Sequence, residues 1–177
     1  MRVTDESIAK VPRIESNVLD ERHWDTLQKE SMDLLDSVRD MELGTERIIT
    51  FDLSMRKLGE AVGLPGDHRV EIRNFPEQHV LIHNHADSDT FSPSDFRSLI
   101  ERPNTLSIQA VGHDGSMFVL DKLPSYDAAG AVHKFNSTMI RVEASMRQCA
   151  EKHEIVNAIE QFYHSLSEHG FVYRRWR

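Results

Sequence analysis

The chain has 177 residues, enough for one domain with a sizeable core and no need of covalent staples. Its formal charge of −8 argues against a surface for broad contact with nucleic-acid phosphates, and its one cysteine, Cys149, excludes an internal disulfide and a cysteine-rich zinc framework. With 39% hydrophobic and 28% charged residues, no secretory-type apolar stretch at the N-terminus and no run of membrane-spanning length, the composition predicts a globular cytoplasmic (intracellular) protein with no membrane partner.

Residues 1–19 are polar and lack a clear period, which predicts a loose N-terminal arm. Trp24, Leu27, Leu34, Leu35, Val38 and Met41 recur at helical spacing, so an amphipathic helix is expected over 20–41, with Gly44 as its left-handed terminator. "RIITFDL" (47–53) is β-branched and alternating, hence a strand. The glycines and proline of "SMRKLGEAVGLPGD" (54–67) predict a loop or short helical turn. "HRVEIR" (68–73) reads as a second strand and "HVLIH" (79–83) as a third, whose unbroken apolar run implies burial on both faces. "SPSDFRSLIE" (92–101) reads as a short helix with Pro93 at its first position. "TLSIQAVG" and "SMFVLDK" flank the turn residues "HDG", which predicts a hairpin over 105–122 with an exposed His113.

From 130 to 169 the pattern is helical, closed by Gly170, and "FVYRRWR" is a basic aromatic tail expected to fold back onto the core. The order αββ(β)αββα predicts an α+β (α/β-like) fold: a mixed sheet flanked by helices, with a long C-terminal helix. The expected division is an arm over 1–19, a core over 20–123 and a C-terminal helical extension over 124–177.

The stretch "HVLIHNHADSDTFSPSDF" (79–96) carries the chemistry. Side chains alternate across a strand, so His83 and His85 point the same way and can reach one ion through neutral imidazole nitrogens. Asp95 would complete a His-His-carboxylate set with one coordination position open, the catalytic arrangement of zinc rather than the structural one. A second account stands beside it: Ser92 and Asp95 fit S-x-x-[D/E], a helix capping box that needs no metal. Cap and ligand can coexist. "HEIVN" (153–157) lacks the second histidine of a zincin helix, and Cys149 reads as a small helical hydrophobe rather than a nucleophile.

"HNHADSDTFSPSD" resembles the H-x-H-x(7)-S-x-x-D signature of the JAMM (JAB/MPN-type) metalloproteases, most of all the bacterial RadC-like branch. The order of elements over 20–122 resembles that family as well. Six residues separate His85 from Ser92 against the seven of the pattern, and Ala86 stands where proline is common; a short loop absorbs both changes. The resemblance implies Zn2+ bound by His83, His85 and Asp95, a glutamate as general base, and Ser92 as a hydroxyl donor to the oxyanion. Glu46, just before the strand "RIITF", stands where the family places its base; Glu42 ranks second, and Glu60 and Glu71 lower. The implied function is zinc-dependent hydrolysis of amide bonds by a peptidase or isopeptidase, with a protein or peptide substrate, a ubiquitin-like tail among the candidates. Two other readings remain open: a non-catalytic scaffold module of the same fold, and a RadC-type protein linked to DNA processing, against which the acidic charge argues. The C-terminal helix is a candidate oligomer contact.

Overall fold

Strand pairing organises the chain. In the computed structural model, which describes residues 2–65, 70, 73–87, 89–147 and 151–176, β1 (Arg47–Asp52), β2 (Lys57–Val62), β3 (His79–His85), β4 (Thr105–Gly112), β5 (Met117–Lys122) and β6 (Phe171–Trp176) form one sheet in the order β2-β1-β3-β4-β5-β6. β3 and β4 are parallel, joined by the crossover helix α3 (Pro93–Glu101), and every other neighbouring pair is antiparallel. The class is α+β with a mixed sheet, as expected from the order of elements.

Each face of the sheet buries an apolar cluster. On one, α2 (Trp24–Val38) lays Leu27, Leu34, Leu35 and Val38 against Ile49, Val80, Ile82 and Val119. Leu27, Leu34 and Leu35 are fully buried, and burial of each side chain contributes about 1.5–3 kcal/mol. On the other face, α3, α4 (Ala128–Arg147) and α5 (Lys152–Ser165) bring Phe96, Phe135, Phe162 and Tyr163 onto Ile48, Leu81, Ile108 and Phe118.

Several expectations are corrected. The N-terminal arm is not loose: α1 (Asp5–Ala9) is closed by a reciprocal Thr4–Ser7 capping box, and Val3, Val11, Ile14 and Leu19 are buried in the α2 cluster. Its apolar residues follow no regular period because they cover the sheet from irregular backbone. The helix over 24–38 ends before Gly44, which instead takes a positive φ of 88° in a turn closed by Thr45 N–H donating to the Glu42 carbonyl. The segment read as a loop over 54–67 contains strand β2. Its Gly59 is not a breaker there: a Cβ would come within 2.8 Å of the Phe75 ring, so the absent side chain makes room for an aromatic one. The strand expected over 68–73 falls mostly outside the described residues, as does Cys149.

The C-terminal segment is not an extension. It comprises α4, α5 and a 3-10 turn (Leu166–His169) ended by Gly170 in the left-handed region, and it finishes as β6 on the sheet edge. The basic aromatic tail does fold onto the core, as a strand.

Candidate metal centre

Alternation along β3 separates its side chains. Val80 and Ile82 enter the α2 cluster and Leu81 the opposite one, so His83 and His85 share the α3 face and Asn84 points toward α2. All seven residues of β3 are buried. The loop after β3 is short, so the N-terminus of α3 returns to the strand end from which it left. There Ser92 caps the helix and Asp95 completes the box: Asp95 N–H donates to Ser92 Oγ at 3.3 Å, and Asp95 Oδ2 accepts the Ser92 N–H at 2.7 Å. Cap and candidate ligand are one side chain.

Nε2 of His83 lies 2.9 Å from Nε2 of His85; Asp95 Oδ1 is 3.5 Å from the first and Oδ2 3.5 Å from the second. These ligand atoms all fall within 4.8 Å of one another. Tetrahedral zinc with bonds of about 2.0–2.1 Å places its ligand atoms roughly 3.3 Å apart, close to the 2.9 Å between the two imidazole nitrogens and the 3.5 Å from His83 Nε2 to Asp95 Oδ1. The donor set also fits. His85 Nδ1 is 2.9 Å from the Asp89 carbonyl oxygen, which can only accept. That ring therefore carries a proton on Nδ1, which leaves Nε2 as the atom available to an ion, the arrangement that orients metal-binding histidines.

With protein groups alone, a proton serves in place of an ion. Burial opposes charge on His85, but hydrogen bonding and attraction from Asp95, the Asp89 carbonyl and the charge of Glu46 outweigh it and raise the ring to about 9. Burial likewise pushes the Asp95 carboxyl up, and the neighbouring His83 and His85 overcome that and hold it well below the usual carboxylate range.

The register of β1 against β3 ends with Ile48 beside His83, and Glu46, just before β1, lies near enough for its charge to act on the His85 ring. Glu46, His85 and Ser92 line one cavity of about 380 Å³, closed by Leu43, Ala86 and Thr90. The other glutamates are elsewhere. Glu42 is exposed and lines a separate hollow with Val38 and Arg39. Glu60, in β2 rather than a loop, is engaged by Arg47 at 2.6 Å and Lys57 at 2.7 Å, which lower its carboxyl to about 2. Glu71 lies outside the described residues. Ser92 Oγ donates to Asp95 Oδ2 at 2.7 Å, so its proton must turn away from Asp95 to reach an oxyanion.

Sequence reasoning missed the supports. Tyr163 of α5 donates to the Ser92 carbonyl at 3.0 Å, Thr90 shares a hydrogen bond with the Tyr173 hydroxyl at 2.9 Å, and Lys152 pairs with Asp89 at 3.1 Å. All three come from the C-terminal segment, and no local pattern announces them. His113 is not exposed in its turn but buried, 3.1 Å from Asn84 Nδ2. No family model matches the chain, and neither a curated protein nor a solved structure matches it.

Proposed function

We propose that this chain is a zinc-dependent amide-bond hydrolase of the JAMM type, a peptidase or isopeptidase. The observation that carries the reading is the convergence of His83, His85 and Asp95 within 4.8 Å, with His85 on the wall of a cavity that Glu46 and Ser92 also line. The resemblance of "HNHADSDTFSPSD" to the JAMM signature supports it.

His83 Nε2, His85 Nε2 and Asp95 Oδ1 would hold the ion; Asp95 Oδ2 already accepts two hydrogen bonds from Ser92. A bound divalent zinc supplies a water acidified toward neutrality and a Lewis acid for the scissile carbonyl. Glu46 takes the proton from the attacking water and returns it to the leaving amine. Ser92 turns its hydroxyl proton toward the developing oxyanion while its Oγ lone pair goes on accepting the Asp95 N–H. The Asp89 carbonyl holds the Nδ1 proton of His85, so that Nε2 is the nitrogen that faces the ion.

The test is metal analysis of protein purified without a metal-affinity tag, together with cleavage of a fluorescence-quenched peptide pool. One zinc per chain and cleavage abolished by chelation and restored by zinc support the reading. Chain without zinc affinity, or with zinc-independent cleavage, overturns it. One zinc per chain without cleavage favours a metal-stabilised scaffold.

A further inference from the structure

We infer that Asn84, the spacer of the H-x-H motif, is a positioning residue for Glu46; the inference rests on the reading of Glu46 as the base. Asn84 is fully buried and shares its face of β3 with Val80 and Ile82, opposite the two histidines. An apolar residue there would add to the α2 cluster, whereas a buried carboxamide is costly unless its hydrogen bonds are met. Apart from the contact of Nδ2 with His113 Nε2 at 3.1 Å, those bonds go to one place. Asn84 Oδ1 accepts the backbone N–H of Arg47 at 2.7 Å, and Asn84 Nδ2 donates to the backbone carbonyl of Thr45 at 2.9 Å. An N–H can only donate and a carbonyl can only accept, so the amide orientation is fixed by the backbone it grips.

The two gripped groups flank Glu46. From the other side, Gly63 N–H donates to the Glu46 carbonyl at 2.8 Å. Just here β1 begins, where a strand end would otherwise fray. The side-chain amide of Asn84 acts as one more peptide in the ladder and fixes the backbone from which the Glu46 carboxylate is aimed. One residue position on β3 thus separates two tasks: His83 and His85 face the metal, and Asn84 reaches through to the base on the neighbouring strand.

The experiment is a double-mutant cycle of Asn84→Leu with Glu46→Gln, read as zinc content and as kcat and KM on the quenched peptide pool. Asn84→Leu is expected to hold one zinc per chain, keep KM within about twofold, and lose about 10- to 100-fold in kcat, since a misplacement of about 1 Å can cost that much. In the Glu46→Gln background it is expected to cost nothing further, because the group it positions is already gone. An equal fractional loss in both backgrounds, or loss of zinc, overturns the inference and leaves Asn84 a general structural residue. Should Asn84→Leu not fold, Asn84→Asp keeps the acceptor for Arg47 N–H but has no donor for the Thr45 carbonyl, and the same cycle is read on it. Amide hydrogen exchange provides a readout that needs no substrate. The Arg47 N–H exchanges faster in the variant if the clamp exists, and an unchanged rate overturns it. Full activity of Glu46→Gln by itself removes the base assignment, a separate failure from parental activity of Asn84→Leu beside an inactive Glu46→Gln.

Discussion

The Asp95 carboxylate accepts both the backbone N–H and the hydroxyl of Ser92, each at 2.7 Å, while its Oδ1 stands 3.5 Å from His83 Nε2. One side chain thus closes a helix and faces two imidazoles, and substitutions can separate the two roles. Asp95→Asn keeps an acceptor for the Ser92 N–H, so the cap is expected to weaken by no more than about 1 kcal/mol, with a further loss in chelated protein from the missing charge beside His85. Its zinc affinity is expected to fall at least 100-fold, because the anionic ligand is gone. Asp95→Ala should lose both. Thermal unfolding with and without zinc measures the first effect and metal titration the second; an Asp95→Asn protein that binds zinc like the parent removes Asp95 from the ligand set.

Glu46 and Glu42 give the sharpest contrast in activity. Glu46→Gln is expected to bind zinc normally and to lose about 100-fold or more in kcat, the usual contribution of a placed base. Glu42, in a different hollow, is expected to tolerate Gln with little change. Steady-state kinetics on a zinc-dependent substrate decide between them, and a dead Glu42→Gln beside a live Glu46→Gln reverses the assignment.

Zinc binding should depend on pH in a direction fixed by His85. Raised to about 9, this ring is protonated at neutral pH in chelated protein, so an incoming ion must displace a proton. Apparent affinity is expected to rise about tenfold per pH unit from 7 toward 9. Calorimetry at pH 7 in buffers of different ionisation enthalpy should report about one proton released. The same shift makes chelated protein less stable as pH climbs from 6.5 through 9, since the raised group contributes its full stabilisation only below its unfolded value. Proton release near zero would contradict the shift.

Lys122 predicts an opposite slope. Burial lowers its ammonium to about 8, although its Nζ donates to the Leu99 carbonyl at 3.2 Å and the Arg102 carbonyl at 3.1 Å at the end of α3. Between pH 8 and 10.5 the unfolded chain holds a proton that the folded chain has released, so stability is expected to rise with pH. Denaturant titrations of zinc-loaded protein should show that rise in the parent and lack it in Lys122→Met.

A chain ended at Leu123 is expected not to fold. It would lose Phe135, Phe162, Tyr163, Phe171 and Tyr173 from one core cluster and leave β5 as a bare apolar edge. Circular dichroism and gel filtration of the truncated chain test this; a cooperative unfolding transition would restore the C-terminal segment to the status of an appendage.

What the sequence determined by itself was local. The periods of β1, β3 and α2, the hairpin turn and the reciprocal Ser92–Asp95 cap each depend on residues within a few positions of one another. The pair His83 and His85 needs only the alternation of one strand. What tertiary structure decided was non-local. Glu46 was separable from Glu42 by order along the chain alone, but the pairing of β1 with β3 is what brings Glu46 and His85 to one cavity. Burial of the arm, the strand at 57–62, the turn histidine His113 and the tail as β6 each depend on a partner far away in sequence. Asn84 is the clearest case: a spacer in its own strand, it acquires a role only because the backbone on both sides of Glu46, 37 and 39 positions earlier, comes within hydrogen-bond reach. A strand's period fixes which way a side chain points, and the neighbour brought beside it by the sheet fixes what it meets.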